Sequence, residues 1–183
     1  MLGGAALDAA LERVVSRPLH TTYFRAVPLR YAGDPFGRSR PIIEQRFNVA
    51  KGARVLYLGD SQLTCLYEVQ AFGFPAKSVA IIPVQVHLDA VIDLRDTATC
   101  KALGLTQTEL AFNFRSLPPG SPPAATQLLG ERCAASGRID ALVFSSMAYK
   151  TGTNLAVFEA GLQTLGSYLE IDDPANGISS RLP

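Results

Sequence analysis

Strand-forming segments follow one another in this sequence with no helix between them, and that succession restricts the fold more than any other feature. Residues 141–145, 154–159 and 167–171 are short runs of apolar and β-branched residues bounded by Gly, Ser and Asp, the pattern of consecutive strands. Residues 78–86 and 90–94 adjoin in the same way. Parallel neighbours need a crossover of about a dozen residues or more, usually a helix, so strands this close in sequence favour antiparallel pairing. Helical segments interleave elsewhere. The expected class is α+β: a mixed, largely antiparallel sheet with helices packed on it.

Leu7, Leu11, Val14 and Val15 recur at helical spacing within the first fifteen residues, and Pro18 ends that amphipathic segment. Residues 23–28 read as strand. Residues 30–48 scatter Gly33, Asp34, Pro35, Gly37 and Pro41 among Arg30, Arg38, Arg40 and Arg46, a long basic loop of the kind that often carries function. The strand 55–58 runs into Gly59-Asp60-Ser61, where Asp60 or Ser61 can accept from the free N–H groups of a helix over 62–72. Gly73 and Pro75 stop that helix. Pro83 places 78–86 at a sheet edge or a bulge. Thr106 and Glu109 have capping-box spacing for a helix over 106–114, and a helix over 126–135 closes at Gly137.

With 48% hydrophobic and 18% charged residues in 183, the chain has material for one core, and a single domain over 1–183 is expected. Seventeen basic and 16 acidic side chains give a net charge of +1, which supplies no basis for direct nucleic-acid or membrane binding by this chain. No stretch reaches the roughly 18–20 apolar residues of a membrane helix, and the N-terminus lacks the basic start of a secretory signal. Cys65, Cys100 and Cys133 are odd in number and without CxxC spacing; they fit a reducing cytoplasm better than a disulfide framework or a zinc site. The expected location is cytoplasmic.

Several kinds of chemistry are missing. The sequence holds no dinucleotide-binding glycine motif, no P-loop and no nucleophile elbow. His20 and His87 are the two histidines, so a His-based triad or a multi-His metal centre is not expected, and no metal is called for. An enzyme built on this chain works with Arg, Glu, Tyr and Ser.

Those types occur in a recognisable order: Tyr23-Phe24-Arg25, Arg46-Phe47-Asn48, Gly52, Val55-Leu56-Tyr57-Leu58, Leu66-Tyr67-Glu68-Val69, Phe144-Ser145-Ser146, Gly152 and Asn154-Leu155-Ala156-Val157-Phe158. Over residues 23–158 the chain resembles the RES domain family, named for an Arg, a Glu and a Ser, whose members are toxins of bacterial toxin–antitoxin pairs. The resemblance implies a fold similar to ADP-ribosyltransferase toxins and attack on NAD+ at its nicotinamide–ribose bond, as a phosphorylase or glycohydrolase. It also implies an Xre-type helix-turn-helix antitoxin as partner. The alternatives are an ADP-ribosyltransferase that modifies a protein with NAD+ and a catalytically inactive nucleotide-binding module.

Carried over by position, the family's arginines fall on Arg25 and Arg46, its Tyr on Tyr57 and its Glu on Glu68. Its Ser falls on Ser146, with Ser145 as the fallback. Asn154 is a further candidate for ligand contact. Each has a plainer reading. Glu68 suits an exposed helical position, Arg25 a structural salt bridge, Tyr57 a strand core and Ser146 a turn hydrogen bond. Under the functional reading Glu68 faces the ribose, Arg25 and Arg46 hold phosphates with their planar forks of donors, Tyr57 packs on the ligand, and Ser146 orients Glu68 or a ribose hydroxyl. Two departures stand out: Ile43-Glu44-Gln45 precede Arg46 where many relatives have glycines, and Phe47 replaces a Trp. The apolar segment 161–171 belongs either to the core or to a subunit interface, so a homo-oligomer is an open expectation.

Overall fold

The computed structural model describes residues 2–39, 41–73, 75, 78–173 and 177–183. Arg40, one of the loop arginines, lies outside the described residues. Along the chain come α1 (Gly4–Arg13), β1 (Arg17–Pro28), β2 (Val55–Gly59), α2 (Gln62–Ala71), β3 (Val79–Asp93), α3 (Thr97–Ala102), α4 (Gln107–Ala111), α5 (Ala125–Ser136), β4 (Ala141–Ser145), β5 (Thr153–Phe158), α6 (Glu159–Leu165), β6 (Tyr168–Asp173) and β7 (Ile178–Leu182).

Apolar residues on both sides of a strand require cover on both sides, and β4 and β5 are of this kind. Ala141 and Val143 of β4, with Leu155 and Val157 of β5, turn to one core, which also takes Tyr23, Leu58, Val84 and Phe36. Their alternates Leu142, Phe144, Ala156 and Phe158 turn to a second core, formed with Leu7 of α1, Leu103 and Leu129 and Cys133 of α5. The strands run in the order β1-β2-β5-β4-β3-β6-β7. β3 and β4 are parallel and the other pairs antiparallel; of the strands read as consecutive, β4 and β5 pair directly, while α6 separates β5 from β6 and those two do not pair. Because β1 also pairs along β3, from Arg17 opposite Val91 to Pro28 opposite Val79, the sheet curls back on itself. The seam is thin: β1 meets β2 at one bridge, Phe24 opposite Gly59.

Some elements depart from the sequence reading. The first helix ends at Arg13, and Pro18 lies in β1, which starts six residues earlier than residues 23–28 suggested. His20 and Thr21 face solvent there, so the apolar alternation that marks a strand is lacking. Segments 78–86 and 90–94 are one strand, β3, with Pro83 ahead of the residues that pair with β6. The capping box of Thr106 and Glu109 is present, but α4 ends at Ala111 and a separate 3-10 turn spans Phe114–Ser116. The segment around Cys100 is helical, as its sequence suggests, in α3, whereas α6 and β7 were not expected; α6 follows β5 with no side-chain cap to announce it. Gly137 closes α5 with φ 59, the left-handed geometry that glycine tolerates. Among the described residues no helix is long and apolar enough to cross a membrane.

Candidate functional site

At the start of α2 both expected caps are used, for different tasks. Ser61 Oγ accepts the Thr64 N–H at 3.1 Å, a regular N-cap. Asp60 accepts the Thr64 hydroxyl at 2.5 Å and the Thr153 N–H at 2.9 Å, which ties the helix to the first residue of β5. This fixes the azimuth of α2 so that Glu68, about two turns on, reaches the chain after β4.

Glu68 Oε1 accepts from the Ser146 hydroxyl at 2.7 Å and from Asn154 Nδ2 at 2.6 Å. Both donors are buried. Ser146 Oγ also accepts the N–H groups of Ala148 and Tyr149, so the hydroxyl that holds the carboxylate is itself set by the turn between β4 and β5. Ser146 makes the Glu68 contact; Ser145 is exposed and lines a neighbouring cleft. Tyr67 and Tyr149 stack at 4.9 Å between ring centroids with planes 6° apart, clamping α2 to the same turn. Glu68 Oε2 accepts no hydrogen bond among the described residues.

Arg46 comes to this cluster from the loop ahead of β2. It is half-buried and gives Nη1 to the carbonyl of Leu110. Burial lowers its pKa below the ordinary arginine value, while the nearby Glu68 carboxylate works in the opposite direction. Tyr57 fixes the loop: its hydroxyl accepts the Phe47 N–H at 2.8 Å and donates to Asn48 Oδ1 at 3.1 Å. Desolvation pushes that hydroxyl well above the usual tyrosine range, so it stays protonated and able to donate. Asn48 Nδ2 donates to the Ile43 carbonyl at 2.7 Å. Phe47 is fully buried and meets Phe144 edge-on at 4.9 Å, which accounts for an aromatic residue there.

One face of α5 holds the other side of this loop. Gln127 Nε2 donates to Glu44 Oε1 at 2.8 Å and to the Gln45 carbonyl at 3.1 Å. Glu131 Oε1 accepts the Val49 and Ala53 N–H groups at 3.2 and 3.1 Å. Between them Gly130 lets the helix touch the loop backbone: a Cβ there would lie 1.9 Å from the Phe47 carbonyl oxygen. The close approach that glycines ahead of Arg46 would permit is thus supplied by a glycine on the opposing helix. Gly130→Ala is expected to lower stability by about 1–3 kcal/mol through overpacking. Helix propensity alone predicts a gain of roughly 1 kcal/mol, so a thermal melt distinguishes the two by sign.

Arg25 is placed differently. Its Nε donates to the Pro35 carbonyl at 2.6 Å and Nη1 to the Tyr57 carbonyl at 3.1 Å. It therefore joins β1 to β2 and to the long loop beside the thin seam. The structure brings Glu68, Ser146 and Asn154 into direct contact and sets Arg46 near them through Tyr57. It records Arg25 on backbone carbonyls.

A cleft of about 140 Å³ beside Arg46 is lined by Arg95, Gln107, Leu110, Ser145 and Met147 among others. Arg95 carries no motif or periodicity that would single it out in the sequence. Burial raises the pKa of all three thiols, that of Cys65 to about 11, which leaves them poor nucleophiles. Among the described residues no group of three or more His, Cys, Asp or Glu side chains could hold a metal ion.

A family model described as "RES domain" matches residues 11–173. No curated protein matches the sequence. Among solved structures, a chain of the crystal structure of the M. tuberculosis MbcT–MbcA toxin–antitoxin complex is similar, with a TM-score of 0.66 and 18% identity. The similarity covers 98% of this chain and 93% of that one, and it concerns the fold.

Proposed function

The chain belongs to the RES domain family, and from that premise we propose that it is the toxin of a bacterial toxin–antitoxin pair and cleaves NAD+ between nicotinamide and ribose. The observation that carries this reading is the Glu68 carboxylate, with Oε1 held by Ser146 and Asn154 and Oε2 left for a ligand, near the half-buried Arg46. When the C–N glycosidic bond breaks, its electron pair leaves with nicotinamide and the ribose gains oxocarbenium character. A fixed carboxylate stabilises that charge without having to reorganise. The ribose carbon then bonds to an oxygen of phosphate or water, and with water the proton passes to solvent. The Arg46 fork suits the pyrophosphate. Tyr57 serves the site through the loop it anchors, and Arg25 through the β1–β2 seam. The α+β fold is read as related to that of ADP-ribosyltransferase toxins.

The partner is proposed to be an Xre-type helix-turn-helix antitoxin. Leu63, Tyr67 and Met147, exposed by 53, 45 and 58%, give the surface around the site apolar contacts for a protein. Purified protein incubated with NAD+ is expected to release nicotinamide in phosphate buffer or in buffer without it. Absence of release under both conditions from folded protein would discard the reading. Label from NAD+ appearing on a protein band in lysate would reassign the acceptor to a side chain and make the chain an ADP-ribosyltransferase.

A further inference from the structure

We propose that Arg95 is a second phosphate-binding residue of the cleft beside Arg46, contacting the pyrophosphate of the dinucleotide; this rests on the NAD+ reading above and extends it to a residue outside the family motifs. Arg95 stands just beyond β3, where the Leu94 N–H still bonds to the Val143 carbonyl at 2.8 Å and continues the ladder to β4. Its own N–H donates to Asp93 Oδ1 at 2.9 Å. The guanidinium is held along one edge by the same carboxylate, Nε to Oδ1 at 2.9 Å and Nη2 to Oδ2 at 2.7 Å. Nη1 donates to the Thr153 hydroxyl at 3.2 Å.

A guanidinium has five N–H donors in a fixed plane. Three are used by Asp93 and Thr153, and the remaining two, one on each Nη, have no acceptor among the described residues. These two belong to a side chain that lines the same cleft as Arg46, Gln107 and Ser145. A guanidinium with one N–H to spare on each Nη can reach two oxygens of a phosphate group. Asp93 also keeps the guanidinium from folding back onto the sheet, so little rotamer freedom remains to be lost on binding.

A purely structural role accounts for less of this arrangement. The Arg95 and Asp93 side chains are 47 and 42% exposed, and pairs so open to water contribute little to stability. Thr153 adds a third anchor to a side chain that a surface pair would leave mobile. Asp60 and Tyr23 also stand near Arg95. Among the described residues, Arg46 and Arg95 are the two charged side chains that line the cleft, so an entering dianion meets two guanidinium groups.

The experiment is calorimetric titration of ADP-ribose and of nicotinamide riboside, which lacks the pyrophosphate, into the wild-type chain, Arg95→Gln, Arg95→Lys and the exposed control Lys101→Gln. Arg95→Gln is expected to weaken ADP-ribose about tenfold or more, the equivalent of losing a charge-assisted pair. It should leave nicotinamide riboside unchanged. Arg95→Lys should fall between, because it keeps the charge and loses the fork, and Lys101→Gln should match the wild type. Wild-type affinity for ADP-ribose in Arg95→Gln, equal weakening of both ligands, or no ADP-ribose binding by the wild type would each overturn the proposal. Should Arg95→Gln melt early, Arg95→Lys decides by the same comparison. Arg95-dependent binding of ADP-ribose without nicotinamide release would instead sink the cleavage reading and leave this assignment standing.

Discussion

Glu68→Gln is expected to lower kcat for nicotinamide release about 10²–10³-fold while KM for NAD+ stays within about threefold, the pattern of an interaction made in the transition state. The substitution is unusually clean here. Oε1 accepts two hydrogen bonds, from Ser146 and Asn154, and the amide oxygen of Gln can accept the same two. The amide nitrogen then takes the place of Oε2, to which no described residue donates a hydrogen bond. Shape and anchoring are kept and the charge facing the ligand is lost. A variant with unchanged melting temperature and wild-type kcat would show that the carboxylate does not face the reacting ribose. A rise in KM at constant kcat would move Glu68 from bond cleavage to substrate binding.

The parts of this molecule legible in the sequence are those where one physical signal dominates. β4 and β5 carry apolar runs, residues 141–144 and 155–158, because both faces are covered there, and no competing pattern blurs them. Thr106 and Glu109 state the start of α4 through a local hydrogen-bond exchange that needs no tertiary context. The outer half of β1 was missed for the opposite reason. His20 and Thr21 are exposed, and that stretch is strand because β3 pairs with it at long range. The same distinction runs through the site. Glu68, Ser146 and Asn154 could be named from family order, while their mutual hydrogen bonds depend on Asp60 tying α2 to β5 across 93 residues. Tyr57 was expected either to touch ligand or to fill the core, and its hydroxyl does neither alone: it holds the backbone beside Arg46. Gly130 and Arg95 have significance only through what faces them, Phe47 in one case and Asp93 with Thr153 in the other. A linear pattern cannot carry that information.

Asp140→Ala is expected to destabilise the fold by about 2–4 kcal/mol, the largest single stability effect anticipated, because it removes the shared acceptor of three donors at once. β3 passes from β6, paired through residues 85–87, to β4, paired through residues 91–93, and neither strand meets the N–H groups between. The fully buried Asp140 fills that gap. Its Oδ2 accepts the N–H of Asp89 at 2.8 Å, the N–H of Ala90 at 2.9 Å and the Ser167 hydroxyl at 2.6 Å. The backbone of Asp140 adds to the junction, with its N–H on the Ala90 carbonyl and its own carbonyl accepting from Phe158, each at 2.8 Å. Alanine would keep the bonds of the Asp140 backbone and take the carboxylate from the Ala90 N–H and the Ser167 hydroxyl, while the Asp89 N–H would keep Ser167 Oγ at 3.0 Å. α6 packs too tightly to bring in water at no cost, since a Cβ on Gly161 would lie 2.3 Å from the Ile139 carbonyl oxygen. Asn is the informative comparison. Oδ1 is buried and has no partner among the described residues, so an amide nitrogen can occupy its place while the amide oxygen keeps the three donors. Asp140→Asn should therefore lose less than Ala, about 1–2 kcal/mol, because it keeps the acceptor for all three donors but gives up its charge and leaves amide N–H groups unpaired. Urea unfolding of the two variants beside the wild type reads the difference directly. Equal midpoints for Ala and wild type would mean that solvent reaches Asp89 and Ala90, and that the junction between β6 and β4 is held by packing alone.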